Sequence, residues 1–130
     1  MTIEQNKAFI RDFIAAQNGA NWETELSRFI DPGEFSGYKS DHILFLKAFP
    51  DFHSEIETIV GEGDVLGVLV KASGTHMAEY PVADLKGIPP TGKHLEWRES
   101  YFIHFKDGKV AQWDFMVDNY NRLKQLGVME

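Results

Sequence analysis

Up to Pro50 the hydrophobic residues recur at intervals of three and four, and beyond it at every second position. The first spacing belongs to one face of a helix, the second to one face of a strand. Ile3, Ile10, Phe13, Ile14 and Gln17 define a first helix, opened by Thr2 and Gln5 in a capping-box pattern and ended at Asn18-Gly19. Asn21 caps a short second helix whose apolar side carries Trp22, Leu26, Phe29 and Ile30. Asp31-Pro32-Gly33 reads as its end, because proline biases the residue before it away from the helical region. Ser40 or Asp41 then caps a third helix with Ile43, Leu44, Leu46 and Phe49, stopped by Pro50.

In the second half, Phe52, Ser54, Ile56, Thr58 and Val60 share one face of a predicted strand, with His53, Glu55, Glu57 and Ile59 on the other. Gly61-Glu62-Gly63-Asp64 turns it into an almost continuous apolar strand over 65–72. After a stiff loop over 87–93, a long strand sets Leu95, Trp97, Glu99, Tyr101, Ile103 and Phe105 against Glu96, Arg98, Ser100, Phe102, His104 and Lys106. Asp107-Gly108 turns it into a strand over 110–117, and Asp118 caps a terminal helix that ends at Gly127. Helices first and hairpin-linked strands afterwards predict a single α+β domain over 1–130. Its curved antiparallel sheet forms a cone, with helices covering the concave face and a pocket inside.

Composition narrows the chemistry. At 130 residues, 43% hydrophobic and 25% charged, the chain has ordinary globular proportions and no apolar run long enough to span a bilayer. Residues 1–11 lack the apolar stretch of a signal peptide, so a cytoplasmic location and no membrane partner are expected. Cysteine is absent, which excludes disulfides, thiolate metal sites and a thiol nucleophile. Thirteen Lys and Arg against twenty Asp and Glu leave a net charge of −7, which repels phosphate backbones and argues against nucleic acid. The histidines show no metal-ligand spacing, and neither a phosphate loop nor a nucleophile elbow is present, so no metal and no cofactor are expected. Aromatic residues are abundant (ten Phe, four Tyr, three Trp), enough for extra core or for a pocket that takes a small apolar or aromatic ligand.

Several stretches carry a family likeness: Ala48-Phe49-Pro50-Asp51-Phe52, Gly74-Thr75-His76, Gly87-Ile88-Pro89-Pro90-Thr91-Gly92-Lys93, Phe105-Lys106-Asp107-Gly108-Lys109-Val110 and Leu123-Lys124-Gln125-Leu126-Gly127. In this order, over about residues 3–127, the chain resembles the SnoaL-like polyketide cyclases of the nuclear-transport-factor-2-like superfamily. The resemblance implies a cone-shaped fold, a homodimer packed through the convex sheet face and a cofactor-free pocket. It also implies general acid/base chemistry, by a carboxylate, on an acidic carbon of a polyketide-like carbonyl compound. Relatives with isomerase or dehydratase activity use the same cone for other proton transfers, so fold alone does not fix the reaction.

Glu99 is the foremost candidate, a carboxylate on the apolar side of the long strand between Trp97 and Tyr101. Desolvation of a carboxylate is the usual route to a working general acid or base, whereas the structural alternative is an ion pair or hydrogen bond at the sheet edge. Asp114 is the nominal match to the family's acid/base aspartate but arrives one position early, where Phe115 stands instead. A two-residue turn at Asp107-Gly108 pairs Tyr101 with Asp114, which then joins the pocket. A left-handed bulge at Gly108 pairs Tyr101 with Trp113, turns Asp114 away and places Phe115 beside Glu99; the family likeness leans toward this register, and a second bulge near Trp113 restores Asp114. Tyr101 and His76 are candidate donors to a developing enolate, with a loop hydrogen bond the alternative for His76. Trp97, Trp113, Phe115 and Phe49 are candidate substrate-contacting rings. Asp118 matches a family carboxylate at the strand's end, although capping the last helix is the stronger reading of it. The competing function is a non-catalytic module of the same fold, binding a hydrophobic small molecule or serving dimerisation.

Overall fold

The structure is a computed structural model in which residues 2–80 and 85–128 are described. Helices α1 (Ile3–Gln17), α2 (Trp22–Leu26) and α3 (Pro32–Ala48) precede strands β1 (His53–Glu62), β2 (Val65–Thr75), β3 (His94–Lys106) and β4 (Lys109–Val117), and α4 (Asn119–Leu126) closes the chain. The strands form one antiparallel sheet in the order β1-β2-β3-β4. This is the expected α+β architecture, an open curved sheet with the N-terminal helices on its concave side.

Local chemistry explains where the elements begin and how they dock. Thr2 Oγ1 accepts the Gln5 N–H while Gln5 Oε1 accepts the Thr2 N–H, a reciprocal cap on α1. At the other end the Asn18 side chain both donates to the Ser54 carbonyl (2.8 Å) and accepts the Ser54 N–H (2.9 Å). That pair fastens the end of α1 to the start of β1.

Three expectations are corrected. Asp31-Pro32-Gly33 starts a helix rather than ending one: Asp31 Oδ1 accepts the Gly33 N–H (2.8 Å), with Pro32 in the first turn of α3, where a missing N–H costs nothing. The face of α3 turned to the sheet is consequently Tyr38, His42 and Phe45, followed by Phe49 at its C-cap, while Ile43 and Leu44 are exposed. In β1 a register shift between Ile56 and Thr58 breaks the period of two. Ile59 therefore packs with the core and Val60 points out, the reverse of the simple alternation.

The third correction concerns the β3–β4 hairpin. Its turn has two residues, Asp107 and Gly108, both left-handed (φ 52° and 75°), and Lys106 pairs with Lys109. Phe105 then pairs with Val110 but His104 with Gln112, leaving Ala111 as an extra, unpaired residue. This bulge slips the rest of β4 by one, so Tyr101 faces Phe115 and Phe102 faces Asp114.

Two apolar clusters fill the space between helices and sheet. One gathers Ile10, Phe13, Ile14, Trp22 and Leu26 over Leu66, Val68, Val70, Tyr101 and Ile103. The other gathers Ala48, Phe49, Tyr80, Leu85 and Leu126 around Ala72, Leu95 and Trp97. No helix among the described residues is long and apolar enough to cross a membrane.

Candidate active site

Glu99 lies mid-way along β3, opposite Val70 of β2 and Val117 of β4. Alternation puts it on the concave face with Trp97 and Tyr101, which the structure bears out in its pattern of burial. The Trp97 indole N–H donates to Glu99 Oε2 (2.8 Å) and the Tyr101 hydroxyl to Oε1 (2.9 Å). Trp97 belongs to one apolar cluster and Tyr101 to the other, so the half-buried carboxylate occupies the seam between them. A donor on each oxygen offsets the desolvation of the charge and fixes the plane of the carboxylate, while further lone pairs stay open to a proton.

The helix layer contributes polar groups of its own. Gln17 Nε2 donates to the Tyr38 hydroxyl oxygen (2.9 Å), joining the end of α1 to α3. The His42 ring stacks on Tyr38 at 5.4 Å and meets Trp22 edge-on at 4.7 Å. His42 is 6% exposed, and burial lowers its pKa from 6.5 to about 4, so it is neutral. Burial pushes the Tyr38 hydroxyl up to about 12, with the charges of Asp41 and Glu99 adding to the rise against the Gln17 bond. Tyr101 is raised further, first by burial and then by Glu99, and stays protonated. The sequence pattern does not single out Tyr38, Gln17 and His42 for chemistry. The available signal was polar residues standing on the apolar stripes of α1 and α3.

The remaining candidates are dispersed. Asp114 is exposed on the outer face, where both its oxygens accept from Gln112 Nε2 (3.0 and 2.8 Å) and His104 Nε2 lies 3.7 Å away. The bulge at Ala111 therefore keeps it from sharing a face with Glu99. Phe115 does share that face but is 64% exposed at the sheet edge, while Trp113 packs on Tyr101 (5.3 Å) and Phe13 (5.0 Å). Asp118 accepts the Asn121 N–H (3.1 Å) as the cap of α4.

His76 is fully buried, and its Nδ1 accepts the Thr91 N–H (3.2 Å), which places the ring proton on Nε2. With the backbone bonds His76 N–H to Lys93 O and Gly92 N–H to His76 O, it pins the 87–93 loop. Burial lowers its pKa. Phe49, fully buried, stands between it and Trp97, 5.5 Å from each ring.

Two surface depressions run along α1, one toward α2 at Asp12, Asn21 and Arg28, the other toward β1 at Arg11, Asn18 and Ser54; neither is lined by Glu99 or Tyr101. Among the described residues, no three His, Asp or Glu side chains gather as a metal site.

The profile of the SnoaL-like polyketide cyclase family matches residues 7–126. This chain belongs to that family. TsrD from Streptomyces laurentii shares its fold with a TM-score of 0.82 at 20% identity, covering 99% of each chain. AclR from Streptomyces galilaeus, described as a candidate hydroxylase, has a TM-score of 0.78 at 22% identity, covering 99% of this chain and 100% of its own. IdmH from Streptomyces antibioticus, described as a candidate polyketide cyclase, has a TM-score of 0.75 at 24% identity, covering 94% and 98%. No curated protein sequence matches the chain. At these identities the structural likenesses establish a common fold, and the reaction of this SnoaL-like protein has to be argued from its own side chains.

Proposed function

We propose that this SnoaL-like protein is a cofactor-free acid/base enzyme acting on a small apolar carbonyl compound of polyketide type, with Glu99 as the base. The observation that carries this reading is the Glu99 carboxylate, half-buried on the concave face and held by Trp97 and Tyr101. Glu99 removes a proton from the carbon next to a substrate carbonyl. The C–H electron pair becomes the C=C bond of an enolate as the carbonyl π pair moves to the oxygen. The enolate carbon then takes the proton back from Glu99, or attacks a second carbonyl to close a ring, and the new alkoxide takes that proton. The substrate lies against Trp113 and reaches Glu99 past Phe115 at the sheet edge. Asp114 has no part in the step, being bound to Gln112 on the other face.

The test uses benzoylacetone, a small apolar β-dicarbonyl, in deuterated buffer, with exchange at its acidic carbon followed by NMR. The wild-type chain accelerates exchange, Glu99→Gln loses on the order of 10²–10⁴-fold, and Asp114→Asn matches the wild type. Accelerated exchange that is equal in wild type and Glu99→Gln rejects Glu99 as the base. No acceleration by the wild type rejects catalysis and leaves the binding module, a reading favoured by the outward placement of the family-aligned aspartate.

The reading extends to a homodimer through the convex face. Val60 (59% exposed), Phe102 (55%) and Met116 (73%) lie there, with Val60 and Phe102 flanking Gly67. Around them stand Arg98 with Glu57, Lys71 with Glu96 and His104 with Asp114. An apolar centre ringed by both signs of charge suits a second copy of the same surface turned by a two-fold axis.

A further inference from the structure

A base that takes a proton next to a carbonyl needs a partner at the carbonyl oxygen, where the charge develops. Neither Tyr101 nor His76 is placed to serve it. The Tyr101 proton is committed to Glu99 itself (2.9 Å). The His76 Nε2 proton has no partner among the described residues but lies behind Phe49, with Nδ1 bonded to Thr91.

Tyr38 meets the requirement from the opposite wall. It projects from α3 in the helix layer and packs against the cluster that contains Tyr101, so it and Glu99 belong to the two layers that sandwich the concave side. Its oxygen already accepts the Gln17 amide, and among the described residues nothing accepts its proton. A hydroxyl whose oxygen accepts one hydrogen bond is a better donor for a second. Two more buried polar atoms adjoin it without partners, Gln17 Oε1 and His42 Nε2, the latter on the ring stacked against Tyr38. Buried polar atoms without a protein partner call for a water or for a polar atom of a ligand.

We propose that Tyr38, seated by Gln17, donates the hydrogen bond to the substrate's carbonyl oxygen and holds the negative charge that forms there as Glu99 takes the proton. The ligand class is a planar, apolar, enolisable ketone, for which a naphthol is a stable mimic of the enolate. In this proposal Tyr38 touches the reacting oxygen, and Gln17 is a positioning residue. It rests on the reading of Glu99 as the base.

The experiment measures 2-naphthol affinity by fluorescence alongside benzoylacetone exchange. Tyr38→Phe is expected to bind 2-naphthol about 10- to 100-fold more weakly and to lose exchange to a similar degree, while near-UV circular dichroism stays that of the wild type. Gln17→Leu keeps the hydroxyl but not its seat, so it loses less, and its loss appears more in the exchange rate than in affinity. As a second measurement in the native sequence, the chain is labelled with 3-fluorotyrosine at its four tyrosines. The Tyr38 fluorine signal then moves on naphthol binding, more so as the naphthol is made less acidic.

Wild-type affinity and exchange in Tyr38→Phe, with Glu99→Gln inactive, overturn this proposal alone. A Tyr38 fluorine signal that ignores bound naphthol overturns it as well, whether or not Tyr38→Phe folds. Exchange unaffected by Glu99→Gln overturns the reading of the base and this proposal with it.

Discussion

Trp97 and Glu99, two residues apart on β3, are joined by a 2.8 Å hydrogen bond from the indole N–H to the carboxylate. Their backbones already share a face, and the side-chain bond turns that proximity into a fixed orientation. Trp97 is itself held by Phe45, Phe49 and Phe52, with the Arg122 guanidinium 5.2 Å from its ring. Trp97→Phe removes the donor, leaves one carboxylate oxygen short of a partner and opens space in the core. It is expected to cost about 2–4 kcal/mol in urea unfolding and to slow benzoylacetone exchange by releasing one side of the base.

Acid should weaken the fold through its buried histidines. The pKa of His42 is about 4 in the native state against 6.5 for an ordinary histidine, so between these values the unfolded chain binds a proton that the native chain refuses. Stability is therefore full above about pH 6.5 and falls as pH drops toward 4, by up to about 2–3 kcal/mol from this one group. His76 is shifted in the same direction and adds to the loss. Asp51, held low chiefly by the Thr75 N–H, acts only below the ordinary carboxylate range of about 3.8. Urea titrations at several pH values check this, and His42→Phe should flatten the slope between pH 6.5 and 4.

Two glycines make opposite predictions. A Cβ on Gly74 would lie 3.0 Å from Phe49 Cβ and 3.1 Å from its Cδ1, and Phe49 is fully buried. Gly74→Ala should cost about 1–3 kcal/mol. Gly37, inside α3, has nothing within 4 Å, and Gly37→Ala should add about 0.5–1 kcal/mol by restricting the unfolded chain. Thermal unfolding of the pair checks both signs.

Phe102 stands at the centre of the convex apolar surface, against Gly67 and opposite Asp114. Phe102→Glu places a charge in the middle of the proposed dimer contact and beside an existing aspartate. Analytical ultracentrifugation should show a wild-type dimer converted to monomer, with circular dichroism unchanged because the side chain is already exposed.

The fold was legible because strong local signals agreed with one another. The Thr2 cap, the β3 alternation and the Asp118 cap each stand where the pattern put them. Glu99 was legible for the same reason, a charge interrupting an apolar alternation whose facing a regular strand preserves. Asp114 was not, because its facing depends on Ala111 being left unpaired, and no residue type near 111 marks that bulge. Nor was the role of Tyr38, whose partner Gln17 lies on a different helix.

The chain's sequence by itself determined the α+β class, the order of its elements and which residue on β3 carries the interior charge, since each follows from short-range periodicity and capping. Only the tertiary structure decided which way β4 turns Asp114, which donors reach Glu99 and where Tyr38 meets Gln17. Those outcomes depend on register slips and on contacts between distant elements, and a hydrogen bond across the fold leaves no period in the sequence.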